Sequence, residues 1–197
     1  MRVHTRHTPS FGVARISLAA GEAVEADPAT LVASSFGVTP TRSGRGRSAS
    51  VFTAPAEGGW LDLAPAEPGD VHPLEFDGKI GWSVVRDSVL ARPATVRRDH
   101  PWPALQALFG GDAGFLEHFS GTGLLLLASR GPVDSFTLRA GEVITVVPRF
   151  LLAYPDTVQV RLRAVDPSGP QSVRTGEGLV LDFAGPATLL VQARGRD

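Results

Sequence analysis

Short apolar or alternating runs, each roughly four to eight residues long and fenced by Gly, Pro, Asp or Ser, recur along the whole chain and predict strands joined by tight turns. Phe11 to Leu18 is the first, followed by Ala23 to Ala26 and Thr30 to Ser34, which are bent at Asp27-Pro28 because proline cannot donate to a central ladder. Val158 to Val165 is the most regular. Val158, Val160, Leu162 and Ala164 share one face and Gln159, Arg161 and Arg163 the other, so one face is expected to be buried and one wet. Four neighbouring pairs of runs predict hairpins: Val51-Phe52 with Trp60 to Leu63, Val71 to Phe76 with the run from Lys79 to Ala91, Phe115 to Phe119 with Leu124 to Ser129, and Leu179 to Phe183 with Thr188 to Ala193. Asp77-Gly78, between the second pair, is a strong hairpin signal. Only Trp102 to Phe109 reads as helix: Pro101 and Pro103 suit a first turn, Leu105 and Leu108 lie three apart, and Gly110-Gly111 ends it.

The pattern also repeats. Gly21-Glu22, Pro28 and Leu31 recur with the same spacing as Gly141-Glu142, Pro148 and Leu151. Gly114, Phe119, Gly121 and the run Leu125 to Leu127 recur 64 residues on as Gly178, Phe183, Gly185 and Leu189 to Val191. Three related units are therefore expected, at roughly 11–62, 63–127 and 128–193. The middle one carries about ten extra residues around Asp77-Gly78 before Val89-Leu90-Ala91 matches Leu31-Val32-Ala33. Units too small to bury an apolar face alone would share a core about a pseudo-threefold axis, giving one all-β domain over 1–197 with a minor helix.

These residues, Leu18-x-x-Gly21-Glu22 with Pro28 and Leu31-Val32-Ala33, Pro68-Gly69-Asp70, Gly121-x-Gly123, Leu138-x-x-Gly141-Glu142 and Gly176-Glu177-Gly178-Leu179, resemble the AIM24 family from about Thr8 to Arg194. The resemblance implies a TRAP-like, double-stranded β-helix-like body that is often oligomeric. It also implies a link to inner-membrane organisation in fungal mitochondrial members and no defined activity in most bacterial ones. The chain departs from the family pattern where a Gly-rich apolar insertion has shrunk to Thr39 to Arg47.

Composition narrows the functions that remain. With 19 Lys and Arg against 20 Asp and Glu, the net charge of -1 supplies no global field for nucleic acid or anionic lipid. The absence of Cys removes disulfides and thiolate chemistry and fits a reducing compartment. No apolar run is long enough for a membrane span and the first residues do not read as a signal peptide, so a cytoplasmic protein is expected.

Candidate chemistry is sparse. His4 and His7 sit near a terminus, while His72 and His100 each precede a proline without a neighbouring carboxylate or second histidine. His118 and Glu117 face opposite ways on a strand, so His118 is expected to be a solvent-facing or internally satisfied histidine. No metal site or cofactor is indicated, no Gly-x-Ser-x-Gly elbow is present, and Gly44 to Ser48 lacks the ending of a phosphate-binding loop. The repeating Gly-Glu pairs read as turn devices. Two features remain as candidate contacts: Arg42, Arg45 and Arg47 as an anion or partner grip, and Trp102, Leu105, Leu108 and Phe109 as an oligomer seam if their own body does not cover them. The expected function is a non-enzymatic, self-assembling scaffold or binding module. The alternatives are a small-ligand-binding or hydrolytic enzyme with a cupin-like pocket, and RNA or anionic-surface binding through the arginines.

Overall fold

A computed structural model describes residues 1–42 and 49–195. Its strands are β1 (Arg2–Arg6), β2 (Val13–Leu18), β3 (Ala23–Ala26), β4 (Leu31–Ser34), β5 (Thr39–Arg42), β6 (Ser50–Thr53), β7 (Gly59–Leu63), β8 (Val71–Asp77) and β9 (Trp82–Val85). Then come β10 (Val89–Pro93), β11 (Val96–Asp99), the helix α1 (Pro103–Leu108), β12 (Leu116–Ala128), β13 (Val133–Leu138), β14 (Val143–Val146), β15 (Leu151–Pro155), β16 (Gln159–Ala164), β17 (Leu179–Ala184) and β18 (Ala187–Gln192). Among the described residues the fold is all-β with this one α-helix. Contacts group the chain into two compact units, one of Met1–Phe76, Val89–Val96 and Thr122–Pro132, the other of Asp77–Ser88, Arg97–Gly121 and Val133–Asp197.

In the first unit one sheet runs β1-β2-β7-β4, and β5, β6, β3, β10 and the end of β12 form a second ladder, with β8 also on β12. Ile16 and Leu61, which face each other across β2 and β7, close a single core with Val24, Phe52 and Leu126 from the second ladder. Asp62, almost fully buried, accepts from Arg6 Nη2 (2.7 Å) and from Arg15 Nε and Nη2 (2.8 and 2.9 Å). The Arg15 hydrogen bonds, against the opposing effect of burial and helped by Arg6, hold its carboxyl below the usual range.

In the second unit β13, β18, β15, β9 and the start of β12 form one ladder, β14-β17-β16 another, and Leu116, Leu151, Leu189, Val146 and Phe183 fill the space they share with α1.

None of the four predicted hairpins forms. In three of them the turn carries the chain away from the strand it has just left, because the runs on its two sides find their ladder partners elsewhere. Val51 and Phe52 pair with Glu25 and Val24, whereas Trp60 to Leu63 pair with β2. Leu179 to Phe183 pair with β14 and β16, and Thr188 onward with β13. β8 joins β12, while β9 pairs with β12 and β15. The runs on either side of Gly121-Thr-Gly123 are one continuous strand, both glycines holding φ near 125°, a conformation open to glycine without reversing the chain.

Local devices are shared along the chain. Glu22 and Glu142 each turn back to accept from a backbone N–H, Ala19 at 2.8 Å and Arg139 at 2.7 Å, so both Gly-Glu pairs staple their own turns. Short 3-10 turns over Pro28–Thr30 and Pro148–Phe150 lead into β4 and β15. A β-bulge displaces the register between Leu31 and Ala33, between Val89 and Ala91, and between Leu151 and Ala153.

Candidate functional site

The densest polar cluster lies in the second unit around His118, only 1% exposed. Strand pairing sets its position: β12 lies against β9, with His118 opposite Ser83, and β11, on the same strand, ends at Asp99. Asp156 follows β15 and is drawn in by its backbone N–H, which donates to Gly81 O at 2.9 Å. Nδ1 of His118 lies 2.9 Å from Asp99 Oδ2, and Nε2 lies 3.0 and 2.9 Å from the two Asp156 oxygens. The Trp102 indole stacks on the ring, centroids 3.6 Å apart and planes 7° from parallel. Trp102 Nε1 is buried with no hydrogen-bond partner among the described residues. A recess of about 150 Å³ opens beside the cluster, lined in part by Arg98, Asp99, His100, Trp102 and His118, with Arg98 Nη1 donating to Glu117 Oε1 at 3.3 Å.

This arrangement braces the unit. A histidine acting as general base needs one ring nitrogen open to substrate, and here both face carboxylates. Both ring nitrogens lie within hydrogen-bond distance of a carboxylate, and the stacked indole covers one face of the ring. No group of three His, Cys, Asp or Glu among the described residues is arranged to hold a metal ion.

His118 is thus satisfied internally, one of the two outcomes expected for it, but its partners were invisible in the sequence because they stand 19 and 38 residues away. The one local signal is Gly81. Any side chain there would collide with the His118 ring and the Asp156 carboxylate.

Unmet bonding lies elsewhere, at strand edges. Edge strands expose unpaired N–H and C=O groups, and proteins usually blunt them with charge or proline. Outer strands here follow that rule: β1 carries Arg2 and Arg6, β5 Pro40 and Arg42, β8 Pro73 and Glu75, β11 Arg97 and Arg98, β13 Asp134, and β16 Arg161 and Arg163. Two edges do not. β4 (Leu-Val-Ala-Ser) pairs only with β7 and β14 (Val-Ile-Thr-Val) only with β17 among the described residues, and neither contains a charge or a proline. Large exposed apolar side chains gather at both: Val32 at 62% and Phe36 at 100% on or just after β4, Val143 at 62% and Val147 at 44% on or just after β14.

The residues expected to make contacts are placed as follows. Arg42 ends β5, exposed and opposite Ser50, while Arg45 and Arg47 lie outside the described residues. Leu105 and Phe109 are buried, and Trp102 and Leu108 pack against the same core, so the apolar stripe of α1 is covered by its own unit. No described helix is long and apolar enough to cross a membrane.

A family model described as mitochondrial biogenesis AIM24 matches residues 3–194. An uncharacterised protein of Streptococcus pyogenes serotype M6 is 28% identical over 151 residues, a match that takes in 75% of this chain and 60% of that protein's length. An X-ray crystal structure of a Streptococcus pyogenes protein superposes with a TM-score of 0.77 at 22% identity, covering 98% of this chain and 94% of that one, and so shares its fold.

Proposed function

The chain belongs to the AIM24 family, and from that premise we propose that it is a non-enzymatic module that assembles with copies of itself and offers its surface to partners in repeated array. One observation carries the reading: the two unguarded edges, β4 and β14, each carry an exposed valine, and a fully exposed phenylalanine follows β4. An edge without charge or proline, beside exposed apolar side chains, is open to pairing with another strand. A body of three related units fits this reading, supported by the bulge at Leu31/Ala33, Val89/Ala91 and Leu151/Ala153 and by the two Glu-stapled turns. The seam then lies on sheet edges, since α1 is occupied by its own core. A cytoplasmic setting is part of the proposal and rests on the cysteine-free sequence.

Light scattering of the purified chain over a wide concentration range tests the reading. An oligomer of defined mass is expected, and a monomer at every concentration would sink it.

A further inference from the structure

We infer that β4 of one copy pairs antiparallel with β14 of a second copy, with Ala33 opposite Val146 and Ser34 opposite Thr145; this rests on the self-assembly reading above.

The register comes from two pairings inside the chain. In the first unit β10 lies against β3, with Ala91 opposite Ala26 and Arg92 opposite Glu25. In the second unit β15 lies against β9, with Ala153 opposite Val84 and Tyr154 opposite Ser83. Both obey one rule. The alanine that closes the bulge faces the residue five positions before the bulge begins in the preceding unit: Val89 corresponds to Leu31, five beyond Ala26, and Leu151 corresponds to Val89, five beyond Val84. Applied to the remaining bulge, at Leu31/Ala33, the rule calls for the residue five before Leu151, which is Val146 in β14. Among the described residues β4 pairs only with β7 and β14 only with β17.

Burial agrees with a missing neighbour. Ala91 and Ala153 are 1% and 0% exposed, whereas Ala33 is exposed. The next pair along is occupied by interacting side chains in both precedents, an Arg92 Nη2 to Glu25 Oε2 contact of 2.7 Å and a Tyr154–Ser83 hydrogen bond. Ser34 and Thr145 would supply a hydroxyl pair, Ser34 donating to Thr145 Oγ1, which itself donates to Asp182 Oδ1 at 2.7 Å. β-Branched Val143, Ile144 and Thr145 suit a strand with neighbours on both sides. The outer edges carry no such expectation, because charge or proline already guards them. A second copy is the occupant that fits, since the chain itself holds the complementary edge in the required register. Because β4 and β14 are different surfaces, the contact is heterologous and extends to a ring or a chain of copies.

The sequence has no Cys, so introduced thiols report cleanly. Ser34→Cys and Thr145→Cys are exposed substitutions at facing positions, within the span a disulfide bridges. Co-expressing the two single variants and oxidising mildly is expected to give a covalent pair of chains. Yield should be several-fold lower for Ser34→Cys with Val143→Cys, which shares the face but not the register. A disulfide confined to one chain of the double variant, with none between co-expressed singles, would overturn the inference in favour of closure within the chain. An oligomer by light scattering without the 34–145 link would also overturn it while leaving self-assembly standing. A monomer with no link would remove both.

Discussion

β15 and β4 leave the same kind of turn, a proline-led 3-10 turn, and enter the same β-bulge with nearly the same residues, Leu-Leu-Ala and Leu-Val-Ala. Their fates differ completely. Every residue of β15 is buried, between β18 and β9, whereas β4 has β7 alone and three of its four residues are exposed. The local sequence sets the path of the backbone through the bulge. The neighbour on the far side decides whether the same side chains form core or surface, and that neighbour comes from a remote part of the chain.

The widest gap between the two strands should appear on truncation. Leu152→Ala removes a wholly buried side chain and is expected to cost about 2–5 kcal/mol in chemical denaturation, whereas Val32→Ala at the matching bulge position, measured at dilutions where the chain is monomeric, should stay within about 0.5 kcal/mol. Equal losses at that dilution would mean that β4 is covered within its own chain.

Gly81 probes the neighbour that β15 has and β4 lacks, since it precedes β9 and accepts from Asp156. Gly81→Ala pushes on His118 and Asp156 together and is expected to cost about 1–3 kcal/mol and to disturb the Trp102 environment, seen as a change in tryptophan fluorescence. Wild-type stability and fluorescence would show that the brace does not hold β9.

Alkaline pH reads the burial of β15 directly. Tyr154 is the one tyrosine of the chain, and burial pushes its phenol up from 10.0 to about 12, with the Ser83 hydrogen bond opposing in part. Because the folded value lies above the unfolded one, its contribution is fully present below pH 10 and is lost as pH rises toward 12. Tyr154→Phe should flatten that fall at a cost of about 1 kcal/mol below pH 10. Tyrosinate absorbance rising near pH 10 in the folded protein would contradict a dry β15.

The smallest effect on stability is expected from Val32→Lys, within about 0.5 kcal/mol, because it places charge on an open edge as the outer strands do. Its consequence should be on mass. Light scattering is expected to show loss of the oligomer, with the melting temperature unchanged at dilutions where wild type is also monomeric, and an intact oligomer would clear β4 of any role in assembly.

Strand-forming runs, the short helix and the Gly-Glu turns were legible because each depends on residues within a turn or two: Glu22 reaches Ala19 and Glu142 reaches Arg139. α1 was placed to within a residue at either end by Pro103 and Gly110-Gly111. The hairpins were not legible, since Asp77-Gly78 and Gly121-Thr-Gly123 encode where the backbone can bend and not which ladder receives the next strand. The His118 brace escaped for the same reason, with Asp99 and Asp156 delivered by β11 and β15. The unguarded edges were present all along as two short runs without charge or proline, but a run becomes an edge only when its neighbours are known.

By itself, then, the sequence determined the all-β character, the family, the short helix and the Gly-Glu turns, all products of short-range sterics, hydrogen bonding and side-chain alternation. Tertiary structure alone decided that Leu151–Pro155 is core and Leu31–Ser34 is surface, and that a strand histidine sits between two aspartates. The physical reason is that a β-strand satisfies only half of its backbone hydrogen bonds with any one neighbour, so the identity of the second neighbour, set by long-range pairing, controls both burial and the remaining capacity to bind.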